Sequence, residues 1–161
     1  MDDELLELAL STGKALETRG WILTTAESCT GGWIAEAITA VSGSSAWFDT
    51  GFVTYSNAAK MRLLAVPEST LRQFGAVSTQ TVEAMVNGAL ANSDANVAIA
   101  VSGVAGPTGG TPDKPVGTVC LAWSWPGQPV FSETCHFNGD RTSIRRQTVI
   151  HALSLILYKA T

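Results

Sequence analysis

The turn Glu27–Gly32 is the stretch of this chain that is best suited to chemistry. It reads Glu-Ser-Cys-Thr-Gly-Gly and follows the β-branched and aromatic run Trp21–Thr25, which predicts a strand. Apolar residues at helical spacing come next, in Trp33–Ala40. A turn from a strand into a helix lies where α/β proteins bind ligands, and the helix amides there favour an anion or oxyanion. Ser28 is therefore the first candidate nucleophile. The candidate substrate contacts beside it are Thr30, Gly31 and Gly32.

A serine hydroxyl attacks a carbonyl only if a base takes its proton. The chain has two histidines, both late in the sequence, and His151 lies on an apolar helix where a core role is the safer interpretation. Lys60 is the more attractive base because it follows a predicted strand that ends in Thr54-Tyr55-Ser56. A lysine half buried beside hydroxyls has its pKa lowered by desolvation. On spacing alone, however, an exposed helix lysine is the more common outcome.

Other hydroxyl and thiol groups compete for the same roles. Ser45, in the small-residue loop Gly43–Ala46, is a rival nucleophile or oxyanion donor. Cys29 ranks below Ser28 because the side chain after a strand end commonly turns back into the core. A second glycine-containing loop follows the apolar strand Asn96–Ser102, and glycine allows a ligand to approach the backbone closely. Its candidate binding residues are Ser102, Gly103 and Gly106.

Arginines open the last predicted helix, where the helix dipole prefers negative charge. Arg141 and Arg145, together with Arg146, would be stabilised there by a bound phosphate or carboxylate. An ordinary exposed basic face paired with Asp140 and other acids is an equally good interpretation. The arginines are thus candidate substrate-binding residues.

The predicted elements that must position these side chains alternate between helices and strands up to a closing hairpin. The hairpin joins Val116–Trp125 to Pro129–Phe137 through Pro126–Gln128. A long final helix runs from Arg141 to about Lys159. This order predicts one α/β domain over residues 1–161, an α/β/α sandwich around a mixed sheet. The other predicted helices are Glu4–Arg19, Ala58–Ala65 with Asn57 as its cap, Pro67–Phe74 and Gln80–Ala91, and the remaining predicted strand is Trp47–Ser56, with Gly51 as a bulge or a point of close approach.

Composition excludes several classes of function. The net charge is −4 and no long basic run is present, which argues against nucleic acid as the primary ligand. No apolar stretch is long enough to cross a bilayer, and the acidic start of the chain is unlike a secretory signal, so we expect a cytoplasmic protein. The three cysteines lack metal-site spacing and predict free thiols. Low charge and several tryptophans favour a homo-oligomer, although core packing explains tryptophans equally well.

Taken together, these motifs resemble the CinA C-terminal domain family. The resemblance covers nearly the whole chain in order, and the combination is highly specific although any single segment is not. The matching segments are Thr25–Gly32, Gly43–Ala46, Gly51–Asn57 with Lys60, Gly75–Ser78, Ser102–Pro107, Lys114–Val119 and Gly139–Arg141 with Arg145–Arg146.

The resemblance implies hydrolysis of the carboxamide of nicotinamide mononucleotide, a step of pyridine nucleotide salvage that gives nicotinic acid mononucleotide and ammonia. It implies a serine-type amidohydrolase that uses a Ser/Lys pair and neither metal nor cofactor. The pocket residues that it implies are Ser28, Ser45, Tyr55, Lys60 and Ser102. The alternatives are a nucleotide-binding domain without turnover and a competence-linked interaction domain. Ammonia release separates the first from an enzyme, and salt-sensitive DNA binding would indicate a role in DNA uptake or recombination.

Overall fold

Five strands form one mixed sheet, and helices cover both of its faces. The structure is a computed structural model that describes residues 2–161. The strands are β1 (Leu23–Glu27), β2 (Phe48–Val53), β3 (Val97–Gly103), β4 (Thr118–Ser124) and β5 (Phe131–His136). The helices are α1 (Asp3–Arg19), α2 (Trp33–Thr39), α3 (Asn57–Leu64), α4 (Glu68–Phe74), α5 (Thr79–Ala91) and α6 (Arg141–Ala160). This arrangement confirms the predicted α/β/α sandwich with a closing hairpin and a long final helix.

The order of the strands gathers three strand ends at one edge of the sheet. The order is β2-β1-β3-β4-β5, and β1 runs parallel to both of its neighbours. The hairpin strands β4 and β5 continue the sheet in antiparallel fashion. Because β1, β2 and β3 point the same way, the loops after all three open on the same side. This is the edge at which open α/β sheets bind ligands.

Two apolar cores hold the layers together, one on each face of the sheet. Helices α1, α2 and α6 cover one face, and α3, α4 and α5 cover the other. Every residue of β1 is buried, as are all residues of β3 except the last. Such runs are typical of central strands that are covered on both faces. The apolar sequence of β3 agrees with this place in the fold. Strand β1 begins two residues later than predicted, and it is buried although it contains two threonines and a glutamate.

The structure corrects the predicted details of β2 and of one helix cap. The register of β2 slips between Leu23 and Thr24, so the extra residue is Asp49 and not Gly51. Gly51 is instead a point of close approach, since a Cβ there would lie 3.3 Å from the hydroxyl of Thr25. Asn57 is the first residue of α3, and the preceding Ser56 is the cap because its hydroxyl accepts a hydrogen bond from the Ala59 amide at 3.0 Å.

The tryptophans lie mostly inside this chain. Trp47, Trp123 and Trp125 are buried in the core beneath α1 and α6, and Trp33 is partly buried against it. Core packing thus accounts for them, and the homo-oligomer stays a prediction with less support. Within residues 2–161, none of the helices has the length and apolar character that a membrane span requires.

Gly88 sets the distance between α5 and the end of α3, the helix that carries Lys60. A Cβ at this position would lie 1.9 Å from the backbone carbonyl oxygen of Leu64. We expect Gly88→Ala to lower the free energy of unfolding by at least about 2 kcal/mol, because two backbones would have to separate. The exposed neighbour Asn87 provides the control, since Asn87→Ala should change stability by no more than about 0.5 kcal/mol. Urea unfolding of both variants checks this, and equal stabilities would contradict it.

Candidate active site

A cavity of about 400 Å³ opens at the edge where β1, β2 and β3 end. Ser28 follows β1, Tyr55 follows β2, and Ser102 closes β3. These three residues line the cavity together with Lys60 from α3 and Arg141 from α6. Gly103 and Gly106 line it as well, so the fold brings seven of the sequence-predicted site residues into one space, from segments that are far apart in the chain.

Lys60 is buried and bonded to the candidate nucleophile. Its side chain is 1 % exposed, and its Nζ lies 2.9 Å from Ser28 Oγ. The same nitrogen donates to the backbone carbonyl oxygens of Thr54 at 2.9 Å and Tyr55 at 3.1 Å. Lysine on the first turn of α3 therefore reaches back to the two carbonyl groups left unpaired where β2 ends. The alternative of an exposed helix lysine is wrong.

The surroundings of Lys60 favour the neutral amine. Burial lowers the pKa of the Lys60 ammonium below its usual range. None of the ion pairs among residues 2–161 includes this lysine, so no carboxylate offsets the cost of burying the charge. A neutral amine has two N–H groups for the carbonyl oxygens of Thr54 and Tyr55 and one lone pair. In the neutral state that lone pair is free to accept from the Ser28 hydroxyl, whose other acceptor is the Tyr55 carbonyl oxygen at 3.4 Å, and this arrangement suits a general base.

The thiol beside Ser28 is a poor competitor. Cys29 is buried, and burial raises the pKa of its thiol to about 11. A thiol in this state carries almost no thiolate at neutral pH, and the thiolate is the reactive form. The structure therefore supports the ranking of Ser28 above Cys29.

The second loop supplies hydrogen-bond groups on the opposite wall of the cavity. Ser102 is buried, and within residues 2–161 its hydroxyl has no protein partner. The backbone amides of Ala105 and Gly106 likewise donate to no acceptor in the described part of the chain. The amide of Ser28 is already used, since it donates to the Val101 carbonyl oxygen at 3.1 Å. Donors for an oxyanion are thus available from the second loop.

Arg141 and Tyr55 form one rim of the cavity. The Arg141 guanidinium donates to the Gly106 carbonyl oxygen at 2.7 Å and to the Tyr55 hydroxyl at 3.2 Å. Tyr55 is 61 % exposed, and its backbone carbonyl is the one that contacts Lys60. A single tyrosine therefore connects the guanidinium at the rim with the amine at the floor. No acidic side chain of residues 2–161 lines this cavity, so its charge favours an anionic ligand.

Five predicted site residues do not line the cavity. Ser45 is exposed in a short 3-10 turn before β2, at the amino ends of the strands and so at the opposite edge of the sheet from Ser28. The Thr30 hydroxyl turns inward to the Glu27 carboxylate. Arg145 donates to backbone carbonyl groups of the turn. The remaining two are Gly31 and Gly32, which adopt positive φ angles of 62° and 102° and shape the entry into α2.

The cavity also contains residues that the sequence did not name individually as site residues, although the loop Gly106–Gly110 is, from the sequence, a further candidate for binding the phosphate. Asn57, the first residue of α3, lines it, as does Val77 from the segment before α5. Thr108 and Gly109 extend the wall formed by the second loop. Asn57 could have been found, because it directly follows the Tyr55-Ser56 pair already under consideration. Val77 belongs to the matching segment Gly75–Ser78, but nothing in that motif shows that it faces the cavity.

Glu27 is the most important residue that sequence reasoning left without a role. Its carboxylate is completely buried at the end of β1, directly before Ser28. It accepts hydrogen bonds from the Thr30 hydroxyl and from the first amides of α2. Burial raises the pKa of this carboxyl group. An acidic residue one position before a candidate nucleophile was the available signal.

A second cluster of chemically active side chains lies away from the cavity. Glu133 and Cys135 on β5 and His151 on α6 place metal-donor atoms within 4.8 Å of one another, a grouping that sequence spacing did not reveal. His151 is hydrogen-bonded to the Glu133 carboxylate and packs edge-on against Trp123. This pairing supports the interpretation of His151 as a satisfied structural histidine.

Comparison with known proteins agrees with the geometry. The chain is 60 % identical to the nicotinamide-nucleotide amidohydrolase PncC of Pseudomonas putida, over 99 % of both chains. It is 50 % identical to the PncC protein of Escherichia coli K12, over 96 % of this chain and 94 % of that one. The fold is similar to the crystal structure of the competence/damage inducible protein CihA of Agrobacterium tumefaciens, with a TM-score of 0.96 and 44 % identity over 100 % of this chain and 98 % of that one.

The match to a family model covers the whole sheet and all of the helices except the outermost residues of α1 and α6. The model is that of the CinA C-terminal domain, and it matches residues 5–159. The resemblance stated from the sequence motifs is confirmed by this match and by the full-length relatives. This chain belongs to the CinA C-terminal domain family.

Proposed function

We propose that this chain hydrolyses the carboxamide of nicotinamide mononucleotide to nicotinic acid mononucleotide and ammonia. The observation that carries the proposal is the buried contact of 2.9 Å between Lys60 Nζ and Ser28 Oγ, inside a cavity that no carboxylate of residues 2–161 lines. The names of two curated relatives, both nicotinamide-nucleotide amidohydrolases, support the choice of substrate. The groups that line the cavity support it independently. The Ser28–Lys60 pair suits an unreactive amide, and the Arg141 guanidinium suits the phosphate of the same substrate.

In the proposed mechanism Ser28 attacks the amide carbon while Lys60 accepts its proton. The carbonyl oxygen becomes an oxyanion, for which the free amides of Ala105 and Gly106 are the proposed donors. The C–N bond then breaks as Lys60 returns the proton to the departing ammonia, which leaves an acyl ester on Ser28. Lys60 next takes a proton from water as the water oxygen attacks the ester carbon. The bond to Ser28 Oγ then breaks and Lys60 returns that proton to the serine oxygen, which releases the carboxylic acid and restores both groups. Lys60 must therefore be neutral before each step in which it accepts a proton, and it is the ammonium form that donates in the step that follows.

The remaining polar groups have proposed roles in orientation. The Ser102 hydroxyl faces the reacting end of the cavity, and Arg141 is suited to the phosphate because a guanidinium binds phosphate through two donors at once. Tyr55 lies between these two ends. Gly103 keeps the loop close to β4, since a Cβ there would lie 2.7 Å from a Val119 methyl group.

Removal of either member of the proposed pair should abolish turnover. We expect Ser28→Ala and Lys60→Met each to lower kcat for ammonia release from nicotinamide mononucleotide by about 10³-fold or more, since the nucleophile and its base act as one unit. Ser69→Ala, an exposed position on α4, is the control and should retain full activity. Circular dichroism verifies the fold of each variant. Normal activity of Ser28→Ala, with loss of activity in Ser45→Ala, would make Ser45 the nucleophile instead.

The pH dependence of the reaction should report the lowered pKa of Lys60. Only the neutral amine can accept a proton, so kcat/KM should rise with pH through the pKa of Lys60 and then level off. Because burial lowers this pKa, the rising limb should lie clearly below the ordinary lysine value of 10.5. The profile is measured between about pH 6 and pH 10, with Lys14→Gln on the exposed face of α1 as the control. A flat profile would contradict the assignment of Lys60 as base.

Arg141 should contribute mainly to binding of the phosphate. We expect Arg141→Met to raise KM for nicotinamide mononucleotide by about 10- to 100-fold, because a charge-assisted bidentate contact is lost. Arg72→Met provides the control, since Arg72 is exposed on α4 and pairs with Glu68. Initial rates with nicotinamide riboside, which lacks the phosphate, should be equally low with the wild type and Arg141→Met. An unchanged KM in Arg141→Met would place the phosphate elsewhere.

A further inference from the structure

The short turn that carries Ser28 is hydrogen-bonded to a buried carboxylate, that of Glu27. Glu27 Oε1 accepts hydrogen bonds from the Thr30 hydroxyl at 2.6 Å and from the Ile34 amide at 2.8 Å, and Oε2 accepts from the Ala35 amide at 3.0 Å. The carboxylate thus ties the turn to the first helical turn of α2, whose amides have no carbonyl partners of their own. Three donors on one acceptor group leave the turn little freedom to rotate.

The same turn is held from the other side by an arginine of α6. Arg145 donates through Nε to the Cys29 carbonyl oxygen at 3.1 Å and through a terminal nitrogen to the Thr30 carbonyl oxygen at 2.9 Å. The guanidinium also lies 5.4 Å above the ring of Trp33. Since neither Glu27 nor Arg145 lines the cavity, both are free of any direct contact with a ligand there.

We propose that Glu27, Thr30 and Arg145 are positioning residues that fix the Ser28 hydroxyl on the Lys60 amine. The inference rests on the proposed function, because it assigns these residues to the attack by Ser28. The Glu27 carboxylate accepts hydrogen bonds from donors of the turn and of α2, and the Arg145 guanidinium donates to carbonyl oxygens of the turn. Ser28 lies between them with its own amide bonded to β3 and its carbonyl bonded to the Gly31 amide at 3.0 Å. The Ser28 Oγ atom lies 2.9 Å from Lys60 Nζ. A displacement of either atom by about 1 Å can lower the rate by about 100-fold.

Thr30 offers the sharpest test because valine has the same shape without the hydroxyl. We expect Thr30→Val to lower kcat by about 10- to 100-fold with KM within about twofold, and Thr30→Ser to restore most of the activity. Thr148→Val is the matched control, since the Thr148 hydroxyl is equally buried but bonds to the Ile144 carbonyl oxygen within α6. A loss of a buried hydroxyl that acts only on stability would affect both valine variants alike.

Arg145 has a matched control of its own. Arg145→Lys keeps the charge but cannot bond both carbonyl groups in the same way, so we expect a similar loss of kcat. Arg19 makes the same kinds of contact at the far end of the molecule, donating to the Ala160 carbonyl oxygen at 2.9 Å and lying 5.3 Å from the ring of Trp21. Arg19→Lys should leave kcat unchanged.

A second measurement separates this inference from the choice of substrate. A fluorophosphonate reacts with an activated serine, forming an O–P bond as fluoride leaves and Lys60 takes the proton, and intact mass reports the rate of labelling. We expect Thr30→Val and Arg145→Lys to slow labelling by the same factor as kcat. If the wild type is labelled but releases no ammonia, nicotinamide mononucleotide is not the substrate. The labelling rates of the variants then still test the positioning role. If the wild type neither labels nor turns over, both proposals fail. If Thr30→Val and Arg145→Lys keep wild-type labelling and kcat, the positioning role is overturned.

Discussion

The site depends on a lysine amine held in the interior without a counter-ion. Burying an ammonium group costs several kcal/mol unless a carboxylate or a set of hydrogen bonds compensates. Here the compensation is limited to two carbonyl oxygens and one hydroxyl, from Thr54, Tyr55 and Ser28. This set satisfies a neutral amine as completely as a charged one. Burial thus lowers the pKa of the Lys60 ammonium and reduces the free-energy cost of its deprotonation, which favours a role as a base.

The sheet topology explains how such a place arises. Because β1 is flanked by parallel strands, the chain must cross over on opposite faces, and the carboxyl ends of β1, β2 and β3 face the same space. The chain leaves β2 through Thr54 and Tyr55 and at once enters α3, whose first turn carries Lys60. The lysine therefore bonds to the carbonyl groups just before its own helix, and the end of β1 brings Ser28 against it. The contact between Lys60 and Ser28 therefore requires both the direction in which the chain leaves β2 and the order of the strands in the sheet.

Much of this was accessible from the sequence, and the reasons are local. Strand β3 is a nearly uniform apolar run, and the helix caps at Ser78 and Asp140 follow standard side-chain preferences. Ser28 and Lys60 could be proposed because glycine-rich turns and a post-strand lysine are short-range signals. The error at Ser45 arose because hydroxyl content says nothing about which edge of the sheet a loop occupies. Glu27 was missed because its partners on α2 are backbone amides, which have no signature in the sequence.

The three arginines at the start of α6 were identified by one charge pattern in the sequence, but they have different partners in the structure. Their positive charge at the positive end of a helix suggested a single anion site. The structure instead gives each a different set of acceptors: Arg141 contacts a carbonyl and a phenol, Arg145 contacts two carbonyl groups, and Arg146 forms ion pairs with Asp2 and Glu4. Two of the three therefore resolve the unfavourable dipole within the protein. Arg141 differs because it lines the cavity and half of its contacts are to an exposed side chain, so it alone can exchange a protein partner for an anionic ligand at little cost.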